Sequence, residues 1–389
     1  MPSAPEDVTA TGAIRNRFDR MEVAGAFGDL GTLIPFVIAY LGVLKMDPLG
    51  VLLSFGIAMI ACGVHYRTPI PVQPMKAVGA IAATQAAQSI TLTSAMVHGA
   101  SLVTGVIWLL LGLTGAARRV ASLVKRPIVM GIVLGLGFGF MIEGARMMAS
   151  NWWVGGAALL GTALLMSNRV VPAMLVLLVA GAIYGLLSDA TLWSALQAVR
   201  PQLRWPELAL SSISLDDLLM GAVFLALPQV PLTLGNAIIA ITEENNRLFP
   251  QRRVNEGQMA VSTGLMNLLS GGLGGVPMCH GAGGMAGHVR FGARTGGAVV
   301  ILGVVLIVTA LFFSGSVGTL LRLFPTSILG VILFLTGAQL ALGGCDISRD
   351  KGERFVTVVT AALAVWNVGI AFVVGVAAYA LAKRGLLRL

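Results

Sequence analysis

Two short proline-containing segments carry the residue types best suited to binding chemistry. Residues 71–76 read PVQPMK, and residues 276–281 read VPMCHG. Proline has no N–H to donate and pushes the preceding residue toward an extended conformation, so each segment predicts extended chain leading into a helix. A helix N-terminus presents unpaired N–H groups that favour an anion. We therefore predict half-helices from 73 and from 277 that point into one anion-binding space; proline kinks with tight glycine packing are the alternative.

Lys76 strengthens the prediction of an anion site. An isolated ammonium inside a bilayer costs on the order of 3 kcal/mol, so its side chain should face a cavity or an anion. The alternative is a side chain that extends along apolar surface to the membrane interface. Cys279 occupies the equivalent place in the second segment, where the alternatives are a soft ligand and a small packing residue.

Asp29 and His280 are the candidates for proton coupling. His280, predicted in the first turn of the second half-helix, could donate a hydrogen bond to an oxyanion or respond to pH, and structural packing is the alternative. Asp29 is an intramembrane carboxylate, which marks an ion pathway or a structural partner for a cation such as Lys76. Asp29 could instead be interfacial, close to Arg17 and Arg20.

Two further polar interruptions, residues 27–32 and 228–236, break apolar helices with glycine or proline. Their amide and hydroxyl side chains could hydrogen-bond a substrate or join helices to each other. The methionines beside the two prolines are expected to pack around the site. The complete predicted substrate site comprises Gly31, Thr32, Gln73, Pro74, Met75, Lys76, Gln229, Thr233, Asn236, Met278, Cys279, His280 and Gly281.

The composition is that of a membrane protein. The 389 residues are 56% hydrophobic and 11% charged, with a mean hydropathy of +0.87, whereas soluble domains are about 25% charged. The net charge of +9 is spread over short loops, which argues against nucleic-acid binding. No phosphate-binding glycine loop or paired metal-ligand histidine is present, so the sequence predicts neither an enzyme nor a cofactor.

Apolar runs between polar breaks predict an all-α polytopic membrane protein with about fourteen segments. Of the 26 Lys and Arg residues, 20 fall on the side of the N-terminus, 5 on the other side and Lys76 within the membrane. This bias predicts that both termini are cytoplasmic. The predicted segments are 21–42, 49–64, a half-helix from 73, 95–114, 127–148, 152–167, 170–187, 216–242, 256–271, a half-helix from 277, 296–314, 324–343, 354–367 and 369–383. The last two could instead form one bent helix around 366–367.

The two halves of the chain resemble each other. Pro74-Met75 recurs as Pro277-Met278, 203 residues later, and a proline followed closely by glycine at 127–131 recurs at 325–330. Such internal repeats are typical of transporter folds. Since each half would hold seven segments, an odd number, the second half should be inverted relative to the first.

Four motifs resemble the molybdate transporter family, which is related to the sulfate permeases. They cover both halves of the chain and read GDLGTLIPF at 28–36, PVQPMKA at 71–77, TLGNAIIA at 233–240 and PMCHGAGGMAGHVRFGAR at 277–294. The chain ends shortly after the last predicted segment, so we expect no C-terminal regulatory domain of the sulfate-permease kind.

The resemblance implies a seven-plus-seven inverted repeat with half-helices 3 and 10 meeting at the midplane. It also implies molybdate as substrate, an elevator-like movement and frequent homodimers in the cytoplasmic membrane. The implied regions are a cytoplasmic tail at 1–20, a core domain at 21–115 and 216–315, a gate domain at 116–190 and 316–389, and an external loop at 191–215.

Three functional alternatives stay open at this point. Helix N-termini and one cation suit a small dianion, so sulfate or tungstate could replace molybdate as the transported oxyanion. A nucleobase-type proton symporter should instead have a site dominated by carboxylates. A membrane receptor or scaffold without flux would not need paired broken helices.

Overall fold

In the computed structural model, residues 15–84, 92–117, 119, 125–165, 173–345, 348–366 and 368–384 are described. They form helices and one two-stranded sheet. The elements of the first half are α1 (Arg20–Ala26), α2 (Leu30–Ile38), α3 (Pro48–Tyr66), β1 (Gln73–Pro74), α4 (Lys76–Thr84), α5 (Ser94–Leu113), α6 (Arg126–Met148), α7 (Trp152–Leu165), α8 (Ala173–Ser188) and α9 (Ala190–Gln197). Those of the second half are α10 (Leu215–Gly221), α11 (Leu227–Leu232), α12 (Ile241–Leu248), α13 (Glu256–Gly272), β2 (Met278–Cys279), α14 (Ala282–Arg290), α15 (Gly297–Phe313), α16 (Val317–Leu321), α17 (Thr326–Gly344), α18 (Lys351–Ala364) and α19 (Val368–Lys383).

Most predicted segments coincide with helices to within a few residues, but the half-helices begin later than expected. They start at Lys76 and Ala282 because the chain first forms the short strands β1 and β2. Within the described residues, five helices are long and apolar enough to cross a membrane, or six if the pair bent by 104° at α8 and α9 is one span. The full count of fourteen therefore stays a prediction, and 166–172 and Asn367 lie outside the described residues.

The two polar interruptions predicted from the sequence are irregular turns of helix. A 3-10 turn at Phe27–Asp29 separates α1 from α2, and a π-helical stretch at Thr233–Ala240 separates α11 from α12. Gly28 packs directly on the backbone of Gly287 in α14, where a Cβ would overlap the carbonyl group. The first break is therefore held against the second half-helix.

The helices of the two halves pack crosswise. α3 packs against α15, and α13, which occupies the place of α3 in the second half, packs against α5. α6 packs against its own counterpart α17 and also against α18. Close backbone approach at glycine makes these contacts possible: Gly63 lies against Gly296, and Gly144 lies against Gly330. The contact of α3 with α15 thus has a counterpart in the contact of α13 with α5, which is the pattern that a two-fold relation between the halves produces.

The end of the chain forms a hairpin. α18 and α19 pack against each other and both contact α6. Of the two arrangements left open by the sequence, a hairpin of α18 and α19 is therefore the observed one. At the start of α9, hydrogen bonds from Thr191 and Arg322 to Asp189 keep the pKa of that carboxyl below its usual value. Arg204 forms an ion pair with Asp47 at 2.8 Å.

Glu22 joins the start of α1 to the start of α15. Its carboxylate is 1% exposed and accepts hydrogen bonds from the backbone N–H groups of Arg294 and Thr295, both at 2.9 Å, and of Ala298 at 3.0 Å. The N–H of Ala298 is one that the first turn of α15 leaves unpaired, and the other two belong to the loop just before that helix. One buried side chain thus caps a helix from 276 residues away in the sequence and joins α1 to α15.

Replacing Glu22 with alanine should destabilise the protein by about 3 to 5 kcal/mol, because three backbone N–H groups, two of them in buried hydrogen bonds, lose a charged acceptor. The free energy of unfolding, or the thermal midpoint in detergent, measures the effect. Glu207→Ala, at an exposed glutamate, is the matched control and should stay within about 0.5 kcal/mol of the parent protein. Equal stability of the two variants would contradict the capping role.

Candidate functional site

The two proline segments are paired to each other at the centre of the molecule. β1 and β2 are antiparallel, with Gln73 opposite Cys279 and Pro74 opposite Met278. The N–H of Met75 donates to the carbonyl oxygen of Pro277 at 2.9 Å. Immediately after the strands the chain enters α4 and α14, so both half-helices start from one shared sheet.

The register of this pairing agrees with the sequence repeat. A shift of 203 residues carries Pro74 onto Pro277 and Lys76 onto Cys279. Applying the same shift to the observed pair of Pro74 and Met278 gives the pair of Pro277 and Met75. The hydrogen bond between Met75 and Pro277 shows that this second pair is also present. The sheet is therefore symmetric about an axis between the strands, as two inverted copies of one segment would be.

Polar residues of α13 hold the second strand in place. The Asn267 side chain accepts from the N–H of Met278 at 3.0 Å and donates to its carbonyl oxygen at 2.6 Å. The hydroxyl of Ser270 donates to the carbonyl oxygen of Val276 at 2.7 Å. Because a two-residue strand has few backbone partners of its own, these side chains replace the missing neighbour strand.

Gln229 caps the first half-helix. Its Oε1 accepts from the N–H of Ala77 at 2.8 Å, and its Nε2 donates to the hydroxyl of Thr233 at 3.0 Å. Gln229 and Thr233 are 1% and 0% exposed. Of the two predicted roles, joining helices is the one seen for Gln229, which links α11 to α4; substrate contact by Gln229 and Thr233 stays a prediction.

Asp29 and Gln73 form a buried polar pair between the half-helices. Gln73 Nε2 donates to Asp29 Oδ1 at 2.5 Å, and Asp29 is 2% exposed, which argues against the interfacial interpretation. Gly281 and Gly284 lie against these side chains, and a Cβ at either position would overlap them. Glycine at these places lets the start of α14 approach the pair.

Lys76 is the first residue of α4 and is 8% exposed, which argues against extension to the membrane surface. Its ammonium group lies close enough to the Asp29 carboxylate for the two charges to interact. Within the described ranges, no hydrogen bond or salt bridge to Lys76 is found. A buried cation without a hydrogen-bonded partner is costly, and an anion would relieve that cost.

His280 precedes α14 rather than lying in its first turn, so this detail of the prediction was wrong. The side chain is 0% exposed. Its Nδ1 bonds to the carbonyl oxygen of Pro71 at 2.9 Å and its Nε2 bonds to Ser262 Oγ at 2.7 Å. Since both ring nitrogens are occupied, His280 has no free donor for an oxyanion in this conformation.

The other predicted residues lie around the strand pair. Pro74, Met75, Met278 and Cys279 are buried, and Asn236 Nδ2 lies 3.7 Å from the position that a Cβ on Gly281 would take. Gly31 and Thr32 belong to α2, and their side chains lie outside the described part of the chain.

Sequence reasoning missed Tyr40, Ser262 and Asn267. Tyr40 is 0% exposed, and its hydroxyl has no hydrogen-bond partner among the described residues. On α13, polar residues recur at 262, 263, 267 and 270, a spacing that places them on one helix face. That polar stripe in an apolar helix was the available signal for Ser262 and Asn267.

Comparison with known proteins agrees with this architecture. A sequence profile described as "Molybdate transporter of MFS superfamily" matches residues 21–140 and 221–340, two stretches of equal length that start 200 residues apart. Molybdate transporter 2 of Arabidopsis thaliana is 30% identical, with 98% of this chain and 92% of that protein covered. Molybdate transporter 1 of Chlamydomonas reinhardtii is 29% identical, with 91% and 89% covered.

Solved structures show the same fold at lower identity. The transmembrane domain of a cyanobacterial bicarbonate transporter, BicA, has a TM-score of 0.59 at 16% identity. The alignment covers 93% of this chain and 97% of that domain. The murine anion transporter Slc26a9 in its inward-facing state has a TM-score of 0.66 at 14% identity, with 95% of this chain and 69% of that chain covered.

These findings define a multi-pass helical membrane protein with the fold of anion transporters. The chain belongs to the molybdate transporter family. Its relatives are transporters and not enzymes, which confirms the prediction from the sequence.

Proposed function

We propose that this protein is a secondary transporter that imports molybdate across the cytoplasmic membrane. The single observation that carries the proposal is Lys76, a buried cation placed where two antiparallel strands open into two half-helices. Helix starts and an ammonium group suit a small tetrahedral dianion. The names of the relatives support molybdate over other oxyanions.

The binding space we propose lies between the start of α4 and the segment 279–281. Lys76 supplies the charge, and Asn236, the hydroxyl of Tyr40 and backbone N–H groups at the helix starts supply hydrogen-bond donors. The Asp29–Gln73 pair holds the strand side of the space in position. The buried Met75 and Met278 complete its border, and Gly31 and Thr32 of α2 stay candidate substrate contacts in this proposal.

We further propose that the chain is a seven-plus-seven inverted repeat with core and gate domains at the boundaries predicted from the sequence. The crosswise packing of helices and the symmetric strand register support the inversion. Between the two domains, Phe36 of α2 meets Phe140 of α6 edge to face, with ring centroids 5.2 Å apart. A largely apolar boundary of this kind suits a core domain that slides against the gate domain. A homodimer, with both termini in the cytoplasm, is part of the same proposal.

His280 is the proton carrier that the geometry supports best. When neutral, His280 donates from Nδ1 to Pro71 and accepts the Ser262 hydroxyl proton at Nε2. When charged, Nε2 donates to Ser262, whose hydroxyl can turn to the carbonyl oxygen of Met259 at 3.1 Å. Both ring nitrogens therefore keep a hydrogen-bond partner in either charge state, so the buried ring can gain or lose a proton without leaving a nitrogen unpaired.

Uptake driven by an inward proton gradient should fall to the level of passive exchange in His280→Gln, because glutamine cannot carry the proton. Ser262→Ala should lower gradient-driven uptake as well, and Ser262→Thr, which keeps the hydroxyl, should restore it. Counterflow of molybdate without a pH gradient should persist in all three variants. Gradient-driven uptake that is unchanged in His280→Gln would contradict the coupling role.

Counterflow of labelled molybdate in proteoliposomes, with sulfate, tungstate and uracil as competitors, tests the function. We expect exchange of labelled molybdate, and we expect unlabelled molybdate to suppress it more strongly than sulfate, tungstate or uracil does. Stronger suppression by sulfate would make the protein a sulfate permease, and suppression by uracil would indicate a nucleobase transporter. Binding of molybdate without exchange would indicate a receptor.

A further inference from the structure

A cavity of about 740 Å³ lies between α3, α5 and α13. Its walls come from the second half of α3, the end of α5 and the first turns of α13. Ligand sites commonly measure about 300 to 1,000 Å³, so the space is large enough for more than ordered water. None of the residues proposed to bind molybdate lines it.

The cavity has an apolar wall and a polar end. Ala58, Ala61 and Leu265 belong to the wall, and His65, Asn255 and Gln258 to the polar end. Asn255 and Gln258 form the capping box of α13 through their side-chain oxygens. Their amide NH₂ groups therefore remain as donors, which suits an acceptor-rich group at this end.

The apolar wall continues into the surface that faces lipid. Leu113 and Leu265 line the cavity and are 69% and 55% exposed. In a helix that crosses a membrane, such residues contact acyl chains. The cavity is therefore open sideways to the hydrocarbon layer, and a lipid chain can enter it without crossing water.

Two basic residues lie close in the sequence to residues that line the cavity. Arg253 is exposed and lies two residues before Asn255, and Arg67 directly follows Tyr66, which also lines the cavity. Basic pockets at the ends of membrane helices attract anionic headgroups, at about 1 kcal/mol for each basic residue. Under the proposed topology this end is cytoplasmic; the existence of the cavity does not depend on that topology.

We propose that this cavity binds an anionic phospholipid, with one acyl chain between α3 and α13 and the phosphate at His65, Asn255 and Gln258. The chain would cover the hydroxyl of Ser262, which also lines the cavity. The bound lipid thereby keeps water from the hydrogen bond between Ser262 and His280. The lipid site is independent of the transported substrate.

The test uses purified protein in detergent, delipidated and then titrated with phosphatidylglycerol or phosphatidylcholine of identical chains, with bound lipid counted by native mass spectrometry. Phosphatidylglycerol should bind more tightly. Ala61→Phe fills the wall and should weaken binding about tenfold, the equivalent of excluding two methylene groups. Val64→Phe is the matched control, because Val64 is exposed on the same helix and does not line the cavity.

Arg253→Gln should lower affinity for phosphatidylglycerol about fivefold and leave that for phosphatidylcholine unchanged. Equal binding of the two lipids would overturn the headgroup assignment. Unchanged binding in Ala61→Phe, or full displacement by glycerol 3-phosphate, would overturn the acyl-chain site. The lipid experiment does not measure molybdate counterflow. A negative lipid result therefore leaves the proposed transport function intact, and absence of molybdate transport leaves the lipid site intact.

Discussion

Replacing Lys76 with methionine is expected to weaken molybdate binding by about a hundredfold to a thousandfold, or 3 to 4 kcal/mol. Methionine keeps the length of the buried side chain but removes its charge. The site would retain the donors of the helix starts and lose its only proposed cation. Equilibrium binding to the purified protein and initial rates of uptake both measure the loss.

Two substitutions serve as controls for Lys76. Lys76→Arg keeps the charge in a bulkier group, so affinity should recover in part. Lys45→Met removes an exposed ammonium on the same membrane protein and should leave binding unchanged. If Lys76→Met bound molybdate as tightly as the parent protein, the anion site would have to be elsewhere.

Replacing Asn267 with alanine is expected to cost about 3 to 5 kcal/mol of stability and to abolish high-affinity binding. The side chain is 0% exposed and satisfies both the N–H and the carbonyl oxygen of Met278. Without it, two buried backbone groups are left unpaired, at about 1 to 3 kcal/mol each, in addition to the volume lost. The thermal midpoint and the molybdate affinity should fall together.

Ser101→Ala is the control for this experiment. The Ser101 hydroxyl lies 3.4 Å from Asn267 Oδ1, so its loss should disturb the same helix interface without freeing the strand. A small loss of stability with normal affinity is expected. Should Asn267→Ala bind molybdate normally once it is folded, the strand pair would be irrelevant to binding.

The broad organisation followed from the sequence because its signals are local. Proline restricts its own backbone and that of its predecessor, so the extended segments before α4 and α14 were predictable. The burial of Lys76 followed from its place in an apolar chain. The helix starts were displaced because Met75, Met278 and Cys279, which follow Pro74 and Pro277, take part in the strand pairing. That pairing depends on partners 202 to 206 residues away.

The hydrogen-bond partners were not predictable from local patterns. His280 contacts Pro71 from 209 residues away, and Gln229 caps α4 from 152 residues away. Only the fold decides which of several polar residues meets which free N–H group. The polar face of α13 was visible in the sequence, but its function as a substitute strand neighbour required the structure.

Anomalous diffraction at the molybdenum absorption edge, from crystals grown with molybdate, tests the central claim most directly because it locates the metal without a mutation. The account predicts one strong peak between the start of α4 and the segment 279–281, within about 4 to 6 Å of Lys76 Nζ, the range over which opposite charges interact strongly. A peak elsewhere, with that space empty in a protein that exchanges molybdate, would contradict it.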